Sequence, residues 1–326
     1  MDDKKENKWT KLFLRGGLLC LIGLFFSFYL KGFVLYGNQY GRKNHIIGAT
    51  YMTLNNQFYD VVNSEIQQIA EEKGDHLITL DPALDQEKQN DQISYLIEQN
   101  VDLIILNPVD WIGVQKGLDA AKKAGVPVIV VDTAVYDTDM VDVTITTDNY
   151  QAGVLCARDM MEKRKEANIV LLTHNRTKSG RDRIQGFMDT IEGHSEYKIL
   201  TTEDTQGQIE RSLPKVEKVV DTYLDIDVIM ALNDPTAMGA LAALDSRNYQ
   251  REVLVYGVDG SPEAKKLISE GKMTGTAVQY PRKMGQKVME AAYDLLNGKE
   301  AEQSVTIPVE LITEENVEQY DTNRWQ

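Results

Sequence analysis

The sequence predicts an α/β protein of two similar parallel-sheet lobes, carried behind an N-terminal membrane-spanning segment. Three observations predict this. From residue 45 onward, short apolar runs alternate with amphipathic stretches of helical length. The polar residues that end those runs recur in the same order about halfway along. An uncharged stretch, residues 16–30, follows a basic head.

Composition sets the outer bounds. The chain has 326 residues, 42% hydrophobic and 26% charged, which is ordinary globular usage and fits two domains or one large α/β domain. A net charge of −15 and a pI near 4.8 leave no basic face for a phosphate backbone, so no nucleic-acid partner is expected. Two cysteines, Cys20 and Cys156, exclude a disulfide scaffold or a cysteine-built metal site. Charge is unevenly spread. Eight basic against three acidic side chains give residues 1–45 a charge of +5, which leaves −20 for the rest.

The N-terminal segment reads as a membrane signal. GGLLCLIGLFFSFYL at 16–30 is followed by Lys31 and then GFVLY at 32–36. As a helix the uncharged run is about 22 Å long, and extension to Tyr36 gives about 31 Å, enough for a bilayer if Lys31 snorkels outward. Lys4, Lys5, Lys8, Lys11 and Arg15 precede it, which keeps the N-terminus cytoplasmic and sends the body outside. No A-x-A-like cleavage site follows the run, and Cys20 lies mid-run after two leucines, so a lipoprotein signal fits poorly. The expectation is an uncleaved anchor at 16–36, behind a cytoplasmic head at 1–15 and before a polar tether at 37–44. The alternative is a cleaved, secreted chain.

Past the tether the elements follow in order. Strands are expected at 45–51, 76–80, 102–106, 127–131, 168–172, 197–201, 227–232, 252–257 and 274–278. Helices are expected at 57–73, 86–99, 112–124, 149–164, 180–192, 207–224, 236–247, 261–270 and 281–297. Strands alternating with helices of this length mean βαβ units and parallel sheet. The strand runs are almost wholly apolar, which suits sheets covered on both faces.

The chain also echoes itself. DLIILNP at 102–108 resembles DVIMALND at 227–234, and each is followed by a helix and a strand ending in aspartate, VPVIVVD at 126–132 and VLVYGVD at 253–259. Asn107 to Asp132 spans 25 residues and Asn233 to Asp259 spans 26. Two related lobes would produce this pattern.

Ligands of open parallel sheets bind beyond the carboxyl ends of the strands. Those ends carry Asn55, Asn56, Asp81, Asn107, Asp132, Asn233, Asp259 and Gln279. Planar amides and carboxylates suit adjacent sugar hydroxyls. Phe58 and Tyr59 offer rings to the C–H face of a sugar, and Arg183 offers a charge-assisted fork. Taken singly, Phe58 reads as core, and an Asn or Asp after a strand reads as a turn former or helix cap. Recurrence at several strand ends favours a cleft. Trp111, after the 102–106 strand, reads either as core or as a rim tryptophan suited to a partner.

From about 46 to 313 the chain resembles the type I periplasmic sugar-binding proteins, of the ribose-binding-like subgroup. The motifs are TLNNQFY (53–59), ILNPVD (105–110), AGVPVIVVD (124–132), TTDNYQAG (146–153), GRDRIQGF (180–187), ALNDPTAMGALAAL (231–244), YGVDG (256–260) and AVQYP (277–281). The resemblance implies two Rossmann-like lobes joined by a three-crossing hinge, with 45–147 and 280–309 in lobe one and 148–279 and 310–326 in lobe two. It implies ligand-binding roles for Asn56, Phe58, Tyr59, Asp132, Arg183, Asn233, Asp259 and Gln279. Two departures stand out. The ribose binders carry arginine where this chain has Thr133, and an aromatic near where it reads Thr205, Gln206 and Gly207. Ribose itself is therefore doubtful, and another pentose, a hexose or a polyol is open.

Two roles are implied for the chain. One is the sugar-binding component of an ABC importer, with a permease partner. The other is a co-receptor that presents its ligand-bound form to the membrane histidine kinase of a two-component system, a role suited to an uncleaved anchor. A LacI-like repressor would share the fold but needs a basic headpiece in place of this hydrophobic run. No catalytic constellation, P-loop, G-x-S-x-G or H-E-x-x-H is visible, so no enzyme and no cofactor is expected. His45, His76, His174 and His194 are scattered without metal-ligand spacing, so no metal is expected.

Overall fold

The computed structural model describes residues 44–326, together with Ser27 and Tyr29. The expected cytoplasmic head, membrane span and tether lie outside the described residues, apart from Ser27, Tyr29 and Asn44. Among the described residues no helix is long and apolar enough to cross a membrane.

The first half alternates β1 (Ile46–Thr50), α1 (Gln57–Lys73), β2 (His76–Leu80), α2 (Gln86–Glu98), β3 (Leu103–Leu106), α3 (Gln115–Ala124), β4 (Val128–Asp132) and β5 (Val143–Thr147). The second half runs α4 (Asn149–Lys163), β6 (Ala167–Thr173), α5 (Lys178–Ile191), β7 (Tyr197–Asp204), α6 (Ile209–Thr222), β8 (Val228–Ala231), α7 (Asp234–Ser246), β9 (Leu254–Asp259), α8 (Pro262–Ser269) and β10 (Gly275–Val278). Then come α9 (Pro281–Leu296), β11 (Ser304–Ile307) and β12 (Glu310–Thr313). All the expected strands and helices form. Asp110 shifts the start of α3 by folding residues 110–113 into a turn, its Oδ1 accepting from the N–H groups of Ile112 and Gly113.

Two six-stranded sheets result, in the orders β11-β5-β4-β3-β1-β2 and β12-β10-β9-β8-β6-β7. Strand for strand the two orders correspond, so the sequence echo reflects one topology used twice. Every pairing is parallel except β10 with β12. Strands β5, β11 and β12 are the three that the apolar pattern does not reveal. VTITT, SVTI and ELIT are short and threonine- or charge-interrupted, and β11 and β12 lie at sheet edges, where one side needs no apolar cover.

The inner strands of both sheets are buried on both faces, which explains their unbroken apolar runs. In the first, Ile47, Leu103, Ile105 and Ile129 pack with residues of α1 and α9, while Ile104, Leu106 and Val130 pack with α2 and α3. In the second, Val170, Leu172 and Ile229 pack with α6, α7 and α8, and Ile169, Leu171 and Met230 with α4 and α5. Each fully buried side chain of this size contributes about 1.5–3 kcal/mol.

The chain passes between the sheets three times, after β5, after β10, and between β11 and β12. The tail beyond β12 touches both lobes. The ammonium of Lys265, in α8, donates to the carbonyls of Asp321 and Arg324, and the Trp325 ring meets Phe58, in α1, edge-on at 5.8 Å.

Candidate ligand-binding cleft

The carboxyl ends of the two sheets face one another across a cavity of about 390 Å³ of atom-free space, partly open to solvent. All eight residues expected from the sequence, Asn56, Phe58, Tyr59, Asp132, Arg183, Asn233, Asp259 and Gln279, line it.

Two aspartates at matching positions form its charged floor. Asp132 ends β4 and Asp259 ends β9. Both have positive φ, +70° and +144°, regions that L-residues seldom occupy and that cost on the order of 1–3 kcal/mol. At Asp132 the strain is a γ-turn, since the Thr133 N–H donates to the Val131 carbonyl at 2.9 Å. Asp132 Oδ2 accepts from Tyr59 Oη and from Asn107 Nδ2, each at 3.2 Å. Asp259 Oδ1 accepts from Gln279 Nε2 at 2.8 Å.

Arg183 is the counter-ion to both. It lies 4.0 Å from Asp132 Oδ1 across the cleft and 3.8 Å from Asp259 Oδ1 within its own lobe. Nε donates to Asn149 Oδ1 at 2.7 Å and Nη1 to the Leu232 carbonyl at 2.9 Å. Two glycines let α5 bring it there. A Cβ on Gly153, in α4, would lie 1.9 Å from the Arg183 carbonyl oxygen, and one on Gly186 2.0 Å from the Tyr150 carbonyl oxygen. Burial raises the pKa of Asp132, against Arg183 and the two hydrogen bonds. Burial and the nearby Asp234 carboxylate raise that of Asp259 further. Asp234 is itself buried and held by the Ser261 N–H and the Thr276 hydroxyl.

The amides divide their work. Asn56 caps α1 through Oδ1, which accepts from the Phe58 N–H at 3.0 Å and leaves Nδ2 unspent. Asn233 caps α7 through Oδ1 and donates Nδ2 to the Gly207 carbonyl at 3.1 Å. Both therefore cap a helix and line the cavity at once. Asp259 Oδ2 and Gln279 Oε1 are buried acceptors without a partner. Buried polar atoms are almost always paired, so these two mark where donors belong.

Other strand-end residues fall elsewhere. Asp81 closes an exposed turn by accepting from the Ala83 N–H. Asn107 is fully buried behind Asp132, bonding the Met52 N–H and the Val131 carbonyl as well, so it positions the aspartate. Thr133 is fully buried, lies off the cavity wall, and accepts from the Ser179 N–H of the other lobe at 3.0 Å. At 133, where the resemblance implies an arginine, the threonine makes an interlobe hydrogen bond. Met52, His174, Thr177, Ser179, Gln208 and Leu232 complete the wall unforeseen. His174 stands immediately after β6, so the strand-end rule applies to it as it does to the others.

Further bonds join the lobes at the rim. Arg176 Nε meets Asp110 Oδ2 at 3.0 Å and its carbonyl accepts from the Trp111 N–H. The Arg181 guanidinium lies 5.6 Å from the centre of the Trp111 ring, and Tyr136 meets that ring edge-on. Asn55 reaches Glu210 at 3.3 Å. Trp111 is therefore a rim residue, half-buried by the opposite lobe.

Comparison with known proteins agrees with this architecture. The ribose import binding protein of Bacillus subtilis (strain 168) is 29% identical over 279 residues, covering 85% of this chain and 90% of that protein. That of Escherichia coli (strain K12) is 26% identical over 271 residues, covering 82% and 90%. Among solved structures, an ABC transporter solute binding protein from Bacillus halodurans C-125 with bound myo-inositol superposes with a TM-score of 0.81 at 26% identity, over 86% of this chain and 98% of that one. One from Actinobacillus succinogenes 130z with bound D-allose gives 0.78 at 25% identity, over 85% and 100%. Residues 47–300 match the periplasmic binding protein domain, a family of solute-binding proteins rather than enzymes, and the chain belongs to that family.

Proposed function

We propose that this protein is an extracytoplasmic sugar receptor, the substrate-binding component of an ABC importer, whose lobes close on a pentose, hexose or polyol. The observation that carries the reading is the pair of partnerless buried acceptors, Asp259 Oδ2 and Gln279 Oε1, beside Asp132 and Arg183 in an interlobe cavity. A hydroxyl donates to one group and accepts from another, so a polyhydroxylated ligand satisfies both acceptors and takes the guanidinium N–H groups in return. Phe58 and Tyr59 supply the apolar surface for its C–H face. The eight wall residues named from the sequence are the proposed ligand contacts. Proposed lobe boundaries are 45–147 with 280–309 and 148–279 with 310–326.

Residues 16–36 serve in this reading as an uncleaved anchor, supported by the uncharged run at 16–30, the apolar GFVLY after Lys31 and the basic flank. That anchor also favours a second reading, a co-receptor that presents its closed form to a membrane histidine kinase. Both roles use ligand energy to populate the closed state, whose surface the partner reads.

The test is a thermal-shift screen of the full-length chain in detergent against pentoses, hexoses, polyols and nucleosides. A ligand of the folded state raises the melting temperature by mass action. A sugar or polyol hit is expected, and a folded protein that responds to none overturns the reading. Intact mass of membrane-extracted protein checks the anchor, and a species beginning after residue 30 refutes it.

A further inference from the structure

His174 stands apart from the other groups on the cavity wall. It follows β6 directly, is only 4% exposed, and faces the cavity. Its backbone carbonyl is occupied, accepting from the Thr177 N–H at 3.3 Å and the Thr177 hydroxyl at 3.2 Å, while Thr177 in turn caps α5. Those bonds hold the main chain and ask nothing of the imidazole, which takes part in no hydrogen bond among the described residues.

The loop that carries Gly207 runs beside the imidazole. Gly207 has φ +70°, and a Cβ there would lie 3.1 Å from Asn233 Nδ2 and 3.9 Å from His174 Nδ1. The Asn233 amide ties down the Gly207 carbonyl. A glycine in this conformation keeps any side chain out of the space before the ring. Within the second lobe the remaining wall residues offer hydroxyls, amides, charges and Leu232. Among the described residues His174 is that lobe's one ring on the wall, across the cleft from Phe58 and Tyr59.

The ring is neutral at physiological pH. Burial pushes its pKa down to about 4, with Arg176 and Arg211 acting in the same direction and Asp204 and Asp110 opposing them. A neutral imidazole has one N–H donor and one bare nitrogen acceptor, the complement of a hydroxyl that does both.

We propose that His174 contacts the ligand directly and sets its specificity, supplying the second lobe's ring surface and one hydrogen-bonding nitrogen to a single sugar hydroxyl. This rests on the sugar-receptor reading. The role follows from the pairing of His174 with Gly207, because a bulkier residue at 207 would fill the space the ring now borders.

The test uses the full-length chain in detergent and, as probe, the sugar or polyol with the largest shift in the thermal screen. Calorimetric titration compares wild type with His174→Ala and His174→Phe, and repeats each with epimers and deoxy analogues of the probe. His174→Ala is expected to raise Kd about 10- to 100-fold, the range for loss of a buried hydrogen bond with its packing. His174→Phe keeps a ring and loses the nitrogen, so it is expected to lose preference at one hydroxyl only. A structural role would lower affinity for all probes alike. In wild type labelled with ¹⁵N-histidine, the His174 ring resonances are expected to move on probe addition while those of His45, His76 and His194 stay. This arm decides the matter if a variant fails to fold. Wild type that binds the probe with unmoved His174 resonances, or His174→Ala with Kd within twofold and unchanged ranking, overturns the proposal and leaves the sugar receptor standing. Wild type that binds nothing on the panel overturns both.

Discussion

Replacement of Arg183 by alanine probes the electrostatic design of the cleft. The guanidinium is the buried cation that faces Asp132 at 4.0 Å and Asp259 at 3.8 Å, with Asp234 buried nearby. At an effective dielectric constant of about 20, each ion pair at that distance is worth roughly 4 kcal/mol of attraction. Desolvation of the arginine offsets much of this, and cutting one partner from a buried pair costs about 3–5 kcal/mol. Asn149 Oδ1 and the Leu232 carbonyl lose their donors as well. The aspartates can respond by taking up protons, which ties the loss to pH. Asp132 and Asp259 already have raised folded-state pKa values, and removal of the cation raises them further. Stability held by a raised group is full below its unfolded pKa, near 4, and is lost as pH rises through the folded value. Arg183→Ala should therefore be mildly destabilised near pH 5 and increasingly so toward pH 8, with up to about 1.4 kcal/mol lost per pH unit for each aspartate in transition. Urea unfolding of the full-length variant at pH 5, 6.5 and 8 measures this. A loss under about 1 kcal/mol at pH 8, or one equal at all three pH values, refutes the assignment of Arg183 as the shared counter-ion.

Asp132→Ala should leave the fold intact, relieve the strained γ-turn little, and weaken sugar binding at least 10-fold by calorimetry, since a charged hydrogen bond is worth about 1.5–3 kcal/mol. Wild-type affinity would remove Asp132 from the site. Gly186→Ala drives a methyl group toward the Tyr150 carbonyl, a backbone atom that cannot rotate away. It should cost about 1–3 kcal/mol in urea unfolding and displace Arg183 enough to weaken ligand affinity; an unchanged midpoint would contradict the close α4–α5 contact. Asp110→Asn weakens the rim bond to Arg176, whose partners are partly exposed, so Kd should rise no more than about fivefold and the difference should shrink in high salt. A larger, salt-insensitive effect would place Asp110 among the ligand contacts.

The β/α alternation, the echo between halves and the strand-end residues of the cavity wall are legible in the sequence. Each of these is written locally: an apolar run for a strand buried on both faces, and a polar residue where that run meets the cleft. Phe58, Tyr59 and Arg183, which lie in helices, were named by their chemistry and by the resemblance. Strands β5, β11 and β12 escaped because threonine or charge interrupts their apolar runs. Tertiary structure alone decided which strand ends share the cavity. Asp81 and Asp132 both follow strands, yet only the second points into it, since β2 is an edge of its sheet and β4 is central. Tertiary structure also decided that Thr133 bridges the lobes, that Trp325 returns from the far end of the chain to Phe58, and that His174 borders Gly207. Those contacts join residues 33 to 267 positions apart, and no local pattern encodes a distance that only the packing of remote segments creates.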